Sequence, residues 1–244
     1  MARILVTGSA GGLGRAAASS LLDDGHDVVV HARSTDRLAT VDGHLARGAG
    51  RVVGDLAYLD QVRDLAEQVN GLGPVDAVIH NAGVIDGPAL LPGNVLAPYV
   101  LTALIPASRV VYLSSSMHRG GEADISRADW AGARQTLSYS DSKLLVTVLM
   151  AAVARIQPGV LSHAVDPGWV PTRMGGPSAT DDFELGHATQ AWLAASDDPS
   201  ALVSGQYWFH GRTEQPHRAV NDEAVQDALL AALAVHTGID MPRR

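Results

Sequence analysis

Residues Arg3-Ile-Leu-Val-Thr-Gly-Ser-Ala-Gly-Gly-Leu-Gly14 decide the fold, because an apolar run turns there into a glycine-rich corner. The segment that follows, Arg15 to Leu22, has helical spacing, so the order is strand, loop, helix. Gly8, Gly12 and Gly14 leave no side chain between the backbone and a ligand. Amide groups at a helix N-terminus can then face a pyrophosphate, whose charge the helix dipole also favours. The stretch predicts a dinucleotide site at the start of the chain.

The glycine spacing separates this loop from two common phosphate-binding motifs. It differs from the G-x-G-x-x-G fingerprint and from the G-x-x-x-x-G-K-[ST] P-loop, and no lysine follows Gly14 to reach a nucleoside triphosphate. This argues against an ATPase or GTPase. A glycine-rich turn without a ligand stays open as the alternative, although its position directly after a strand near the N-terminus favours a binding loop.

Length, composition and charge narrow the class of protein. The 244 residues and 46% hydrophobic content allow one large α/β domain or two small ones, and a single domain over residues 1–244 is the simpler hypothesis. The net charge of −8 gives no broad basic surface for nucleic acid or anionic lipid. The absence of cysteine excludes disulfides and thiolate metal sites and suits a reducing compartment. No signal-peptide pattern precedes the first strand, so we expect a cytoplasmic protein.

Two further patterns argue against a membrane span and a metal site. The longest apolar stretch, Ala89 to Ala107, contains Pro92, Gly93 and Pro98, which interrupt the backbone bonding that a membrane helix needs. We expect a buried helix of about three turns there. Six histidines show no H-x-x-x-H or carboxylate pattern and are interpreted as surface or hydrogen-bonded residues. They are His26, His44, His118, His163, His187 and His217.

Short β-branched runs alternate with longer amphipathic segments. After the first strand, strands are predicted at Asp27 to Ala32, Arg51 to Gly54, Val75 to His80, Arg109 to Leu113, Val160 to Val165 and Ser204 to His210. Helices are predicted at Asp60 to Val69, Tyr139 to Ile156, Phe183 to Ala195 and Ala224 to Val235. This alternation predicts an α/β fold, a doubly wound parallel sheet with helices on both faces. Ligands of such sheets lie beyond the carboxyl ends of the strands.

The residues after the second and later strands are candidates for cofactor binding. An NAD-binding unit places an Asp or Glu after the second strand to bond the ribose 2′-hydroxyl, whereas this sequence has Ala32 and then Arg33. A guanidinium can pair with a 2′-phosphate, so NADP(H) is favoured over NAD(H), and a solvated surface arginine is the alternative. Asp55 and Leu56, after the third strand, are candidates to meet the adenine. The segment Asn81 to Gly83, after the fourth, lets the backbone approach the cofactor.

A serine, a tyrosine and a lysine form the candidate catalytic group. Ser115 lies in the serine run after the fifth strand, and Tyr139 and Lys143 lie one helical turn apart on the same face of a helix. A free phenol titrates at about pH 10, so it needs an adjacent cation to act at neutral pH, and Lys143 can supply that charge. An ordinary surface pair is the alternative for this spacing. The dinucleotide fold and the serine-tipped strand favour catalysis.

Five motifs of the chain occur together in a known order. They are Thr7-Gly8-Ser9-Ala10-Gly11-Gly12-Leu13-Gly14, Asn81-Ala82-Gly83, Ser115, Tyr139-x-x-x-Lys143 and Asp166-Pro167-Gly168. In this arrangement the chain resembles the short-chain dehydrogenase/reductase family over nearly its whole length. It looks most like the retinol-dehydrogenase-like branch. The cues are Arg109 to His118, the long interval from Ser115 to Tyr139, and Ser204-Gly-Gln-Tyr207 followed by a C-terminal helix.

The resemblance implies a single Rossmann-like domain with about seven parallel strands, and hydride transfer between a nicotinamide and a carbonyl or alcohol. By this resemblance Tyr139 is the general acid or base, and Ser115 holds the substrate oxygen. Lys143 binds the nicotinamide ribose and lowers the pKa of Tyr139, while Asn94 holds a water in the proton relay. Residues and resemblance together give a candidate cofactor-binding set. It comprises Thr7, Gly8, Ser9, Gly12, Leu13, Gly14, Arg33, Asp55, Leu56, Asn81, Ala82, Gly83, Tyr139, Lys143, Pro167, Gly168, Val170 and Thr172.

The resulting hypothesis is an NADP-preferring carbonyl reductase or alcohol dehydrogenase with a small-molecule substrate. The segments Met117 to Ser138 and Arg173 to Asp182 shape its pocket. Trp130, Trp169 and Met174 could form an apolar wall there, and ordinary packing is the alternative for all three. The alternative is a catalytically silent dinucleotide-binding regulator. Such proteins usually lack the catalytic Tyr or Lys, whereas this chain keeps both. Sugar epimerases and dehydratases on this fold need a larger C-terminal domain than this chain provides.

A second apolar face on one helix suggests self-association. The segment Lys143 to Arg155 is apolar nearly all round, more than one face of a sheet can bury. Relatives pair this helix across a two-fold axis, so we expect a homodimer or homotetramer.

Overall fold

The computed structural model describes residues 1–243, which contain one sheet of eight strands in the order β3-β2-β1-β4-β5-β6-β7-β8. The first seven strands are parallel, and the last pair is antiparallel. The strands are β1 (Arg3–Val6), β2 (Asp27–Ala32), β3 (Gly50–Val53), β4 (Ala77–His80), β5 (Arg109–Leu113), β6 (Leu161–Asp166), β7 (Gln206–Phe209) and β8 (Arg212–Glu214).

Helices cover both faces of the sheet. They are α1 (Gly12–Asp23), α2 (Asp42–Leu45), α3 (Leu59–Gly71), α4 (Ala97–Leu104), α5 (Tyr139–Ile156), α6 (Phe183–Ala195) and α7 (Glu223–Thr237), with 3-10 turns at Thr35–Val41, Ser116–Gly120, Pro199–Leu202 and Arg218–Asn221. Successive residues of β1 point to opposite faces, so Leu5 packs in the core with α3, α4, α5 and α7, while Ile4 and Val6 pack with α1 and α6. The central strands are buried on both faces for this reason.

The predicted doubly wound sheet is confirmed, with one strand more than the resemblance implies. The strand β8 was missed because its three residues, Arg-Thr-Glu, are all exposed and carry no apolar signal. It pairs antiparallel with β7 at the edge of the sheet. Predicted bounds elsewhere differ by few residues, and those of β2, β5, α5 and α6 agree with the structure.

The stretch Ala89 to Ala107 contains a helix with an irregular first half. Residues Pro92–Leu96 form a π-helical turn, in which the Ala97 amide bonds the Pro92 carbonyl, and α4 continues from it. Turns of this kind are rare and often occur at functional sites. No helix within residues 1–243 has both the length and the apolar composition that a membrane crossing requires.

The second apolar face of α5 is covered inside the chain. Residues Leu144 to Val153 of α5 are buried, and α7 packs along this helix together with the 3-10 turn Arg218–Asn221. Arg155 of α5 pairs with Asp227 of α7 at the rim of this contact. The apolar face that led us to expect a partner helix is therefore occupied by the C-terminal helix of the same chain.

We expect the free energy of unfolding to fall steeply below pH 6.5, because burial holds three histidines neutral. Burial lowers the pKa of His80 to about 3 and the pKa values of His118 and His163 to about 4. Unfolding returns each to about 6.5, so the unfolded chain binds more protons and stability is lost as pH falls. Each histidine costs about 1.4 kcal/mol per pH unit below that value.

Urea unfolding at pH 7.5 and pH 5.5 measures this loss, which we expect to be about 4 kcal/mol from the three histidines together. His236 on α7 is exposed and provides the control, since His236→Gln leaves the pH dependence in place. Equal stability at the two pH values would contradict the assignment of neutral buried histidines.

Candidate active site

A cleft of about 340 Å³ opens at the carboxyl ends of β1, β4, β5 and β6. This is the edge where ligands of doubly wound sheets lie. Its wall contains residues of the glycine-rich loop, of the serine run after β5 and of the loop after β6. The lining residues are Leu13, Ile85, Ser114, Ser115, Ser116, Met117, Tyr139, Pro167, Gly168, Trp169, Val170, Thr172, Met174 and Gly175.

The glycine-rich loop has the backbone that its sequence predicts. Gly8 and Gly12 have φ values of +69° and +54°, a region that L-residues rarely adopt. A Cβ on Gly14 would overlap Asn81 Nδ2 and lie 2.7 Å from the Gly8 carbonyl oxygen. By contrast, a Cβ on Gly11 would meet nothing within 4 Å. The loop is thus closely packed at Gly14 and has free space at Gly11. This arrangement fits a loop whose backbone amides bind a dinucleotide.

Hydrogen bonds of Thr7 and Asn81, two of the predicted cofactor residues, join the loop to the end of β4. The Asn81 side chain donates to the Thr7 carbonyl at 2.9 Å, and the Ala82 amide donates to Thr7 Oγ1 at 3.1 Å. Ser9 is fully buried, and its hydroxyl donates to the Val6 carbonyl at 2.9 Å. These side chains support the loop from behind, and Ser9 does not face the cleft.

His31 is a functional candidate that the sequence reasoning missed. Its Nδ1 accepts from the Gly8 amide at 3.0 Å, and its Nε2 donates to the Gly54 carbonyl at 2.7 Å. The ring is 3% exposed, and burial lowers its pKa, which favours the neutral form that both bonds require. The only sequence signal was its position beside Ala32 at the end of β2. His31 fixes the glycine-rich loop relative to β3.

Arg33 stands on the surface beyond β2 with 71% of its side chain exposed. Its Nε lies 3.9 Å from Asp55 Oδ2, a loose ion pair. Asp55 Oδ1 also accepts from the Ala57 amide at 3.0 Å, while Leu56 is buried. The structure therefore brings Arg33 and Asp55 together at the rim and places Leu56 in the core.

Tyr139 and Ser115 lie in the same cleft although they come from different elements. Tyr139 is the first residue of α5, whose start is fixed by a capping box in which Ser138 and Asp141 bond each other's backbone amides at 3.1 and 2.8 Å. Ser115 follows β5 and caps the next 3-10 turn, with its Oγ accepting from the Met117 amide at 3.3 Å. The tyrosine and the serine hydroxyls thus face one space.

The pKa of Tyr139 differs from the expectation. Burial raises it to about 12, because a phenolate loses solvation in the cleft, and the negative charge of Asp166 acts in the same direction. The nearby Ser115 hydroxyl opposes this shift. The ammonium of Lys143 lies 5.6 Å from the centre of the Tyr139 ring and does not outweigh burial. The structure holds Tyr139 as a protonated acid at neutral pH.

Lys143 is buried beneath Tyr139. Its Nζ donates to the Leu113 carbonyl at 2.7 Å, and only 5% of the residue is exposed. Burial lowers its pKa to about 8, and the negative charge of Asp166 opposes this change. A lysine with this pKa can change its charge close to neutral pH.

Asn94 lies beside the lysine, on the π-helical turn. Its side chain forms two bonds with the Val84 backbone, both 2.9 Å, and donates to Ser142 Oγ at 3.0 Å. A Cβ placed on Gly83 would lie 3.2 Å from Asn94 Oδ1 and 3.5 Å from Lys143 Nζ. Gly83 therefore keeps open a space into which both the amide and the ammonium group reach.

The loop after β6 forms the wall opposite Tyr139. It contributes Pro167, Gly168, Val170 and Thr172, all of which were predicted here. Large apolar side chains stand at the mouth of the cleft, where Trp169 is 53% and Met174 is 44% exposed. Trp130 fits the packing alternative, because this residue is buried in the core with α4 and α5. Within residues 1–243 no group of three or more carboxylate or histidine side chains could hold a metal ion.

Comparison with known proteins identifies full-length relatives. The short chain dehydrogenase family matches residues 2–96. The protein named short-chain dehydrogenase chyC, from Penicillium rubens, is 35% identical over an alignment that covers 99% of this chain and 100% of that protein. Retinol dehydrogenase 14 of Mus musculus is 30% identical and covers 97% of this chain and 86% of that protein.

Solved structures share the fold described above. A blue fluorescent protein from a metagenomic library, crystallised in complex with NADPH, superposes with a TM-score of 0.71 and 25% identity, covering 86% of this chain and 96% of that one. A short chain dehydrogenase from Burkholderia cenocepacia in complex with NADP has a TM-score of 0.69 and 23% identity, covering 86% of this chain and 97% of that one.

Proposed function

The chain belongs to the short-chain dehydrogenase/reductase family of oxidoreductases, and on this premise we propose that it reduces an aldehyde or ketone with NADPH, using Tyr139 as the proton donor. The observation that carries the proposal is the meeting of Tyr139, Ser115 and the glycine-rich loop in one cleft. We also propose that residues 1–244 act as one dinucleotide-binding and catalytic domain.

The cofactor supplies or accepts the hydride when bound, and the chain's own residues manage the substrate oxygen and its proton. Ser115 holds the carbonyl oxygen of the substrate, and Tyr139 donates the proton to that oxygen. Burial raises the pKa of Tyr139 to about 12, so the phenol is protonated at neutral pH and has a proton to donate. Lys143 bonds the nicotinamide ribose, and Asn94 holds the relay water beside Gly83.

The glycine-rich loop and the strand ends would hold the dinucleotide. The Gly8 to Gly14 backbone receives the pyrophosphate at the N-terminus of α1, and the Asn81 to Gly83 backbone approaches the sugar. Leu13 and the loop from Pro167 to Thr172 enclose the nicotinamide end. Support for NADP(H) comes from exposed Arg33 and from two fold relatives crystallised with NADPH or NADP.

We expect Arg33→Ala to raise the KM for NADPH about 10- to 100-fold and to leave the KM for NADH nearly unchanged. A charge-assisted bond to a phosphate contributes about 1.5–3 kcal/mol, and NADH has no phosphate at the 2′ position. Steady-state kinetics with both cofactors make the measurement. Arg51→Ala, which removes another exposed arginine from the neighbouring strand β3, is the matched control. An equal change for both cofactors would show that Arg33 does not select the phosphate.

The lining of the cleft points to an uncharged substrate. Tyr139 is its only titratable side chain among the described residues, and Ile85, Met117, Trp169 and Met174 form an apolar mouth. A carbonyl compound with an apolar body fits this surface, whereas a carboxylate would lose its solvation without a partner.

The direct test is NADPH consumption with a panel of aldehydes and ketones, after titration of the protein with NADPH and NADH. We expect turnover with NADPH and uncharged carbonyl compounds. Tight NADPH binding without turnover across the panel would instead support a regulator that has kept the fold without catalysis.

A further inference from the structure

The carboxylate of Asp166 lies buried behind the candidate active site, at the end of β6. The residue is 2% exposed. Its Oδ1 accepts from the Gly168 amide at 2.9 Å, and its Oδ2 accepts from the Tyr207 hydroxyl at 3.1 Å. The carboxylate forms no hydrogen bond with Ser115, Tyr139 or Lys143. The proposed reaction therefore leaves the role of this buried charge unexplained.

Through Gly168 the carboxylate holds one wall of the cleft. Gly168 has a φ of +80°. The preceding residue, Pro167, is held by His210, whose Nε2 lies 3.0 Å from the Pro167 carbonyl oxygen, within hydrogen-bonding distance. His210 itself has a φ of +46°, an unusual value for a residue other than glycine. The Asp166 carboxylate therefore belongs to a set of side chains that fixes the segment facing Tyr139.

The same carboxylate lies on the face of the sheet that carries the buried ammonium. Lys143 Nζ bonds the Leu113 carbonyl, and Leu113 is in register with Val165 on the neighbouring strand. Asp166 is the next residue after Val165. Val165 packs on the face of the sheet that α1 and α6 cover, so Asp166 lies on the opposite face, against which α5 with the buried Lys143 packs.

We propose that Asp166 is a positioning residue that acts through Lys143 and Gly168: its negative charge favours the ammonium form of Lys143, and its oxygen fixes the Gly168 amide in the cleft wall. The inference extends the proposed function, in which the ammonium of Lys143 bonds the nicotinamide ribose. It assigns the first residue of the Asp166-Pro167-Gly168 motif an electrostatic role.

Several charged and titratable groups surround Asp166. Tyr139 and Lys143 face it from α5, Tyr207 and His210 from β7 and its end, and the Arg119 guanidinium lies 5.3 Å from the centre of the Tyr207 ring. Burial raises the pKa of Asp166, whereas the Gly168 amide, the Tyr207 hydroxyl and the positive charges of Arg119 and His210 oppose this.

The balance among these groups sets the charge on the lysine. Arg119 also pairs with Glu214 at 2.6 Å, which reduces its effect on Asp166. The pKa of Lys143 is about 8 with the Asp166 charge included. Removing that charge lowers the pKa further, so Lys143 loses its proton closer to neutral pH.

The test is NADPH binding as a function of pH, measured by the fluorescence of the bound nucleotide. In the parent, affinity falls as Lys143 loses its proton. In Asp166→Asn, which preserves shape and still accepts from the Gly168 amide, we expect the midpoint of this fall to lie about one pH unit lower. Tyr207→Phe removes one hydrogen bond to the Asp166 carboxylate but keeps the negative charge, so we expect the midpoint of the fall in affinity to stay where it is in the parent. Lys143→Arg removes the midpoint altogether.

Any of three results would overturn the proposal. They are a midpoint in Asp166→Asn equal to that of the parent, a shift in Tyr207→Phe as large as in Asp166→Asn, and a midpoint that persists in Lys143→Arg. If Asp166→Asn does not fold, Asp166→Ser is used in its place, and we expect the same shift of the midpoint. If neither variant folds, Asp166 has a purely structural role and the proposal is wrong. The binding readout needs no turnover. A parent that binds NADPH but reduces no carbonyl compound would refute the proposed function while still testing Asp166.

Discussion

Tyr139→Phe should lower kcat for carbonyl reduction by about 10³-fold or more and leave NADPH affinity nearly unchanged. The phenol is the proton donor in our account, and positioned acids and bases contribute about 10²–10⁴-fold to rate. Phenylalanine keeps the ring and its contacts in the cleft, so the loss isolates the hydroxyl. Stopped-flow or steady-state kinetics, with NADPH binding measured separately by fluorescence, distinguish catalysis from binding.

The matched control for this variant is Tyr58→Phe. Tyr58 is 57% exposed and lies outside the cleft, so its hydroxyl should be dispensable. A kcat for Tyr139→Phe within a few-fold of the parent would remove Tyr139 from the mechanism. Parallel losses in kcat and in NADPH binding would indicate that the hydroxyl holds the cofactor and does not move the proton.

Gly14→Ala should abolish measurable NADPH binding and destabilise the protein by about 3 kcal/mol or more, at the upper end of what overpacking usually costs. The new methyl group would overlap Asn81 Nδ2 and lie 2.7 Å from the Gly8 carbonyl oxygen. Asn81 cannot retreat without losing its bond to the Thr7 carbonyl, which joins the loop to β4. The loop therefore has to move away from the conformation that presents its amides.

Gly11→Ala is the control in the same loop. Its φ of −177° is extended backbone that any residue adopts, and a Cβ there meets nothing within 4 Å. We expect nearly parental stability in urea and nearly parental NADPH affinity. If Gly14→Ala bound NADPH as well as Gly11→Ala does, the close packing of the loop on Asn81 would have no role in cofactor binding.

Much of the fold could be predicted because its signals are local. The bounds of α5 and α6 follow from caps that lie directly before them, Ser138 and Asp182, whose side chains accept from backbone amides of the first turn. Strands β2 and β5 are apolar runs bounded by polar residues. In contrast, β8 forms only because β7 offers it an edge, and its own residues carry no strand pattern.

In the candidate active site, too, some residues could be predicted from local patterns and others could not. Tyr139, Lys143 and Ser115 were identified because a helical spacing and a strand end bring them together, and the structure places Tyr139 and Ser115 in one cleft with Lys143 beneath them. The contribution of His31 could not be found in this way, since its partners Gly8 and Gly54 are distant in sequence. The balance between burial and charge at Tyr139 depends on three-dimensional packing, which a spacing argument does not contain.

The packing of α7 on α5 could not be predicted from the sequence either. An apolar helix reports that its faces are buried but not which element buries them, and here α7 takes the place expected for a partner subunit. A homodimer or homotetramer remains a prediction of the family resemblance alone.

The most direct test of hydride transfer uses NADPH carrying deuterium at C4 and a ketone from the panel that the protein reduces. Mass spectrometry of the alcohol should show one deuterium at the carbinol carbon with one of the two C4-labelled epimers of NADPH, and none with the other. Oxidation of NADPH without deuterium in the alcohol from either epimer would contradict the account.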